Sequence, residues 1–361
     1  MVFDLRIKHM LSLKFLNTIV HWQNWHYHIK YLPILPVWIW YCIKSRSLWF
    51  FSNVNPGLTL GGMDGETKEE MYMQLPANLY PKTIFVNPGE DINSIYQKIN
   101  DKQIFLPFVV KPNEGMSALM FRVIKNFDDF KKYHSSMHER YLIQEFLDYP
   151  MEVSVFYYRM PNEKSGTVSG FLSKEWPFVT GDGNSSLKTL IYNKFKNTNY
   201  LNHYLEKFSS SRNIILQQNE IFKLSDACNR GQGGQLICLK DEIDDKLLSV
   251  FDSISYYNGN FLYGRYDIKC NSVQELKEGK NFKILEFNGS GSGTQHIYAR
   301  KYSLSSALNI ILNHWKALYT ISKLNNERGL KYCSFSNGLK TLLKAKRNLK
   351  ELKRKDLALN F

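Results

Sequence analysis

Short runs rich in β-branched and aromatic residues, bounded by Gly, Pro or Asn, recur through the middle of the chain. They predict strands over 83–88, 108–112, 141–147, 152–158, 166–172 and 282–288. Apolar positions at helical spacing predict helices over 128–140, 186–195, 245–257 and 303–322. A further run, "YGRYDIKC" (263–270), is strand-like. Strands mixed irregularly with helices predict α+β lobes and not a repeating βαβ wheel. There is no internal repeat, and the only low-complexity tract is a basic tail.

The two ends have a different pattern. "YLPILPVWIWYCI" (31–43) runs thirteen residues without a charge, too short to span ~30 Å of hydrocarbon at about 1.5 Å per residue. It contains Pro33 and Pro36 and is followed at once by Lys44 and Arg46. Five of the seven tryptophans (Trp22, Trp25, Trp38, Trp40, Trp49) fall in the first fifty residues. Trp and Tyr beside Lys and Arg suit a bilayer surface; the other reading is an aromatic segment buried on the body. At the far end Leu342, Ala345, Leu349 and Leu352 recur at helical spacing among lysines and arginines. Such a helix lies on an acidic membrane, docks on a partner, or rests its apolar stripe on the body.

Charge follows the same division. The chain has 361 residues and a net charge of +14, with +5 in residues 1–50 and +7 in residues 330–361, so the body between is close to neutral. That pattern predicts attraction of the termini to something anionic, with no basic groove across the whole protein. Nucleic acid is not an expected partner, because no aromatic residues interleave with the tail charges. The apolar fraction of 43% excludes wholesale disorder. Five scattered cysteines without a CxxC argue against a disulfide framework or zinc site and for a reducing compartment. With no signal-peptide pattern at Met1, the expectation is a cytoplasmic protein, peripheral at the inner face of the membrane if its ends bind lipid.

The candidate chemistry sits in "KILEFNGSGSGTQH" (283–296). Side chains two apart on a strand share a face, so Glu286 and Asn288 point the same way at the strand's open end. A carboxylate with an amide oxygen suits a hard cation such as Mg²⁺. Arg265 and Asp267 in "YGRYDIKC" are also two apart. If the two strands are neighbours, Asp267, Glu286 and Asn288 converge on a metal and Arg265 faces a phosphoryl group. The glycines that follow would let backbone N–H groups approach a phosphate or carboxylate. Gly291 stands where a G-x-S-x-G elbow needs serine; G-x-G-x-x-G and P-loop spacings are also missing. No Cys–His or Ser–His arrangement is evident, and His134, His138 and His296 read as surface or loop residues.

The order "FVVKPNEG", "YLIQEFLDYPMEVSV", "SKEWPFVTGDGNSSLKTLI", "GRYDI", "KILEFNGSGSG" resembles the ATP-grasp carboxylate–amine ligases, the superfamily of D-alanine–D-alanine ligase and cyanophycin synthetase. The resemblance covers roughly residues 60–300 and implies two α+β lobes gripping ATP. It implies that Lys111 and Lys174 contact ATP phosphates, with Lys68 in "GGMDGETK" as a looser third. Gln144, Glu145 and Leu147 match the hinge at the adenine, and Glu152 the acid on the ribose hydroxyls. Gly181, Asp182 and Gly183 match a segment beside the nucleotide. Arg265, with Lys174, matches the catalytic charges on the acyl-phosphate, while Asp267, Glu286 and Asn288 match the ligands of Mg²⁺, or of Mn²⁺ in its place. Arg230, in "NRGQGG", falls near substrate or in a turn.

The implied reaction activates a substrate carboxylate with ATP and joins it to an amine. Alternatives are a relative that phosphorylates or ligates a non-amine acceptor, and a degenerate ATP-binding module at the membrane surface. The chain departs from the pattern in "NEGMSALMF", where Met116 and Leu119 replace glycines that cover phosphates, and in a short front end that makes D-alanine a poor substrate. The implied division is an aromatic, basic segment over 1–59, a reduced region over 60–106 and an ATP-grasp domain over 107–325. That domain splits into a nucleotide lobe (107–172) and a metal and substrate lobe (173–325), and a basic amphipathic tail follows over 326–361.

Overall fold

The computed structural model describes residues 22–25, 29–115, 118–196, 198, 200–225 and 233–359. Met116, Cys228 and Arg230 lie outside the described residues.

Strands β1 (Thr83–Val86), β2 (Phe108–Pro112), β3 (Arg122–Ile124) and β4 (Tyr141–Glu145) form one antiparallel sheet in the order β1-β4-β2-β3. Its inner face presents Val86, Phe108, Val110 and Ile143 to the helices Ile92–Asp101 and Phe127–Ser136, which answer with Ile95, Ile99, Phe130 and Tyr133. Alternation along β2 and β4 leaves Lys111, Leu142 and Gln144 on the opposite face.

A second sheet opens with β5 (Met151–Tyr158) and β6 (Thr167–Glu175). The strands β7 (Phe178–Thr180) and β8 (Ile221–Lys223) leave it to form a ladder of their own. With helices Leu187–Phe195 and Leu201–Lys207 they enclose a small separate core around Leu187, Ile191 and Tyr204. β9 (Gln235–Cys238), β10 (Tyr263–Cys270) and β11 (Phe282–Asn288) rejoin the second sheet in the order β11-β10-β5-β6-β9, again all antiparallel. One face of this sheet is apolar. Val153, Val155, Tyr157, Tyr266 and Ile268 pack there with Leu247 and Phe251 of the helix Asp245–Asn258. The other face carries the charges.

The result is two α+β lobes, as the patterning predicts, but with different edges. β1 pairs with β4, so the first lobe includes residues expected to precede it, and does not start at 107. β5 pairs with β10 and with β6, so the lobes divide between β4 and β5 and not at 172. Backbone hydrogen bonding decides both points, and neither partner strand is near in sequence.

The aromatic front end packs on the long helix Leu304–Glu327. Tyr41 stacks on Tyr319 at 4.4 Å between ring centres, and Trp38 meets Trp315 at 5.0 Å. The basic helix Phe335–Ala358 lies on the first lobe, with Leu352 fully buried in its core and Asp356 paired to Arg122 at 2.9 Å. So the predicted stripe rests on the body at Ala345 and Leu352. No helix among the described residues is long and apolar enough to cross a membrane.

Candidate active site

The charged face of the second sheet is built by register. Asp267 of β10 lies directly opposite Glu286 of β11 and Ser154 of β5, and Arg265 lies opposite Asn288. Lys174 of β6 lies opposite Glu152 of β5. Six charged or amide side chains therefore share one face because the strand period is two. A bulge after Asp267 leaves Leu285 without a partner and turns its carbonyl outward from the ladder.

Asp267 is the centre. Its Oδ1 accepts from Lys174 Nζ at 3.0 Å, from Arg265 Nε at 3.1 Å and from the Ser154 hydroxyl. Its Oδ2 accepts from Arg265 Nη2 at 2.9 Å and from Asn288 Nδ2 at 3.1 Å. Burial alone would raise this carboxyl, but Arg265 and Lys174 hold it well below the usual carboxylate range. Burial likewise opposes the charge on Lys174, yet Asp267 and Glu152, the latter at 3.0 Å, hold its ammonium above its usual value.

The first sheet supplies the facing side. Lys111 Nζ donates to the Leu285 carbonyl at 3.4 Å, which sets it against β11 beside Glu286. Burial, helped by the neighbouring Lys68, pushes its ammonium down to about 7. Lys68 opens the helix Lys68–Tyr72, capped by Thr67, and reaches Glu286 at 3.6 Å and the Gly115 carbonyl at 3.3 Å. Tyr72, at the end of the same helix, donates to the Leu285 carbonyl at 2.6 Å and accepts from Gln144 Nε2 at 2.9 Å. That hydroxyl ties three strands together. No sequence pattern marks it, whereas Ser154 is legible as the same-face neighbour of Glu152.

The remaining candidates are placed as follows. Gln144 is buried and its amide is spent on Tyr72 and Thr83. Glu145 turns to the other side of its strand and accepts from the Lys82 N–H, away from the charged face. The Leu147 carbonyl accepts from Lys269 Nζ at 2.7 Å. Asp182 caps its own turn, and hydrogen bonds from the Ser185 hydroxyl and from the N–H groups of Ser185 and Asn184 lower its carboxyl to about 2. Gly181 and Gly183 flank it beside the small third core.

The glycine loop has a different use from the expected one. Ser290 and Gly291 donate their N–H groups to the carbonyls of Gly61 and Gly62. A Cβ on Gly289 would lie 2.4 Å from the Gly61 oxygen, and one on Gly62 would lie 2.7 Å from the Gly289 Cα. Glycine is required because two backbones touch, and those N–H groups are spent on protein carbonyls instead of a phosphate.

His296 is neither a surface nor a free loop residue. It is buried against Gly170, its ring centre 5.2 Å from that of His314, and burial pushes it down to about 4. His134 and His138 do sit near the surface, bonded to Tyr141 and Asn348.

The donor set suits a hard cation: two carboxylates and an amide carbonyl on adjoining strands. Both oxygens of Asp267 are already engaged, whereas Glu286 has the single long contact to Lys68. Among the described residues no three His, Cys, Asp or Glu side chains converge as a metal cluster. Glu286 is thus the less engaged of the two carboxylates.

No family model and no curated protein matches the chain. Solved structures do. A bifunctional glutathione synthetase from Pasteurella multocida is similar over 66% of this chain, at 16% identity and a TM-score of 0.38, and the chain spans only 34% of its length. A D-alanine–D-alanine ligase from Bacillus anthracis is similar over 75% of this chain and 72% of its own, at 12% identity and a TM-score of 0.42. The ATP-grasp ligase PsnB, complexed with a minimal precursor, is similar over 68% of this chain and 60% of its own, at 13% identity and a TM-score of 0.35. The structures that this chain resembles are ATP-grasp ligases. Likeness at that level says nothing of substrate or reaction.

Proposed function

We propose that the chain is an ATP- and Mg²⁺-dependent ligase that activates a carboxylate as its acyl-phosphate and joins it to an amine. One observation carries this reading. Asp267, Glu286 and Asn288 share a face with Arg265 and Lys174; Lys111 approaches from the first lobe, and Lys68 reaches Glu286 from its own short helix. Oxygen ligands ringed by fixed cations, without a side-chain nucleophile, suit phosphoryl transfer, where positioning and charge neutralisation supply most of the catalysis.

A substrate carboxylate oxygen attacks the γ-phosphorus of ATP; an O–P bond forms and the bond to ADP breaks. The amine then attacks the acyl carbon, loses a proton and expels phosphate. Arg265 and Lys174, held in place by Asp267, present positive charge to the transferred group. Lys111 serves the phosphates from the first lobe, and Lys68 from the short helix between the lobes. Mg²⁺ on Glu286, Asn288 and Asp267 would supply neutralisation of phosphate charge.

The test is ADP release across a panel of amino acids, dipeptides and sugar acids, with the amide product identified by mass. Glu286→Gln should lower the rate by about 100-fold or more. A variant as fast as the parent would remove the metal assignment, and a phosphorylated product without an amide would move the chain to the non-amine reading.

A further inference from the structure

The helix Leu35–Ser45 is apolar on both sides. One side, with Trp38, Tyr41 and Cys42, packs on the Leu304–Glu327 helix and on Phe50. The opposite side presents Leu35, Ile39, Trp40 and Ile43 to solvent, with Trp40 54% and Ile43 62% exposed. Leu32 and Leu48 extend the exposed surface at either end. A helix apolar all round is normally buried, and here half of it is open.

A second open stripe comes from the far end of the chain. Phe335, Leu339 and Leu343, four residues apart on the Phe335–Ala358 helix, are exposed, although the helix buries Ala345 and Leu352 against the body. Trp49, next to the exposed Leu48, joins the front end to the second stripe. Its ring stacks on Phe335 at 6.3 Å, its Nε1 donates to the Phe335 carbonyl, and it fills the space beside Gly338. Segments almost three hundred residues apart thus contribute to one surface.

Basic side chains edge both stripes. Lys44 and Arg46 flank the first, with the Lys44 ammonium 5.4 Å from the Trp40 ring centre, and Lys340 flanks the second, while Lys344 interacts with Glu114 and Glu139. No Asp or Glu occurs between residues 5 and 63. A second copy of this surface would bring cations against cations, which disfavours a symmetric dimer. Indole and aliphatic side chains edged by Lys and Arg match the headgroup layer of an anionic bilayer.

We propose that this surface docks the protein on an anionic lipid membrane, lying in the interface without crossing it. The inference is independent of the reaction above. Trp40 and Ile43 enter the acyl boundary, the Phe335 stripe lies beside them, and Lys44, Arg46 and Lys340 meet lipid phosphates.

Flotation with phosphatidylcholine vesicles, with and without phosphatidylglycerol, tests this on the full chain. The parent should float with the anionic vesicles and should be released by high salt. Lys44→Glu with Arg46→Glu, or Trp40→Ser with Ile43→Ser, should weaken binding about tenfold or more, with the melting temperature kept as a check on folding. Phe335→Ser with Leu339→Ser should weaken it as well. Equal flotation of parent and variants would overturn the proposal. So would a parent that stays in solution with both vesicles, or one that forms a dimer which the same variants dissociate.

Discussion

The Lys174 ammonium lies 3.0 Å from the Asp267 carboxylate, and both side chains are less than one-tenth exposed. They come from β6 and β10, which are not neighbours; β5 lies between them and adds Ser154 to the same carboxylate. Asp267 therefore organises the site before it serves any ligand. Asp267→Asn leaves Lys174 and Arg265 buried with only Glu152 and the more distant Glu286 to balance them. Removing one partner of such a group costs about 3–5 kcal/mol. Chemical denaturation should show that loss, together with loss of activity.

Glu286 should behave in the opposite way. It lies across from Asp267 but keeps 35% of its side-chain surface and holds one 3.6 Å contact. Glu286→Gln should leave stability within about 0.5 kcal/mol of the parent while lowering ADP release about 100-fold or more. Equal losses of stability in the two variants would mean that both acids are structural.

Tyr72→Phe removes a hydroxyl on which Gln144 and the Leu285 carbonyl depend. With both partners left buried, the cost should be about 1–3 kcal/mol, read from the denaturation midpoint. Because the same hydroxyl lies 3.5 Å from Lys111 Nζ, the Michaelis constant for ATP should rise as well.

Much of this was legible along the chain. The strands over 108–112 and 282–288 appear where the β-branched runs place them, because each buries alternate residues in a single core. The pairs Arg265/Asp267 and Glu286/Asn288 face one another because period-two alternation survives in two strands that happen to be neighbours. What was not legible depends on contacts between distant segments. Tyr72 gained its role from β11, some two hundred residues away. The glycine loop was taken up by a second glycine run, and the strand β9 has no apolar alternation strong enough to show it. The tail's amphipathic stripe was visible, but its receptor, the core behind β2, was not.

That receptor makes a prediction of its own. Leu352 is fully buried among Ile124, Tyr133 and their neighbours, and its Cδ1 lies 3.4 Å from where a Cβ on Gly115 would sit, in the turn after Lys111. Leu352→Ala should cost about 2–4 kcal/mol. Limited proteolysis should then cut within the Phe335–Ala358 helix first; cleavage rates unchanged from the parent would show that the helix is held elsewhere.

The last prediction concerns acid. His296 is 8% exposed, its Nε2 has no hydrogen-bond partner, and burial lowers its pKa from 6.5 to about 4. In the unfolded chain it titrates near 6.5, so between pH 6.5 and 4 the unfolded state binds the proton and the folded state does not. Stability from this residue is therefore full at neutral pH, falls as pH drops below 6.5, and levels off once the folded state is protonated below about 4. Integrated from pH 7.5 to 5, the loss is about 2 kcal/mol. His296→Gln removes that titration, and with it the repulsion His296 exerts on His314, while leaving Asp267 and the other acids in both proteins. Urea unfolding at the two pH values should show the parent losing about 2 kcal/mol more than the variant over this interval. Parallel losses would mean that His296 is protonated in the folded protein and that its ring has found a partner or water.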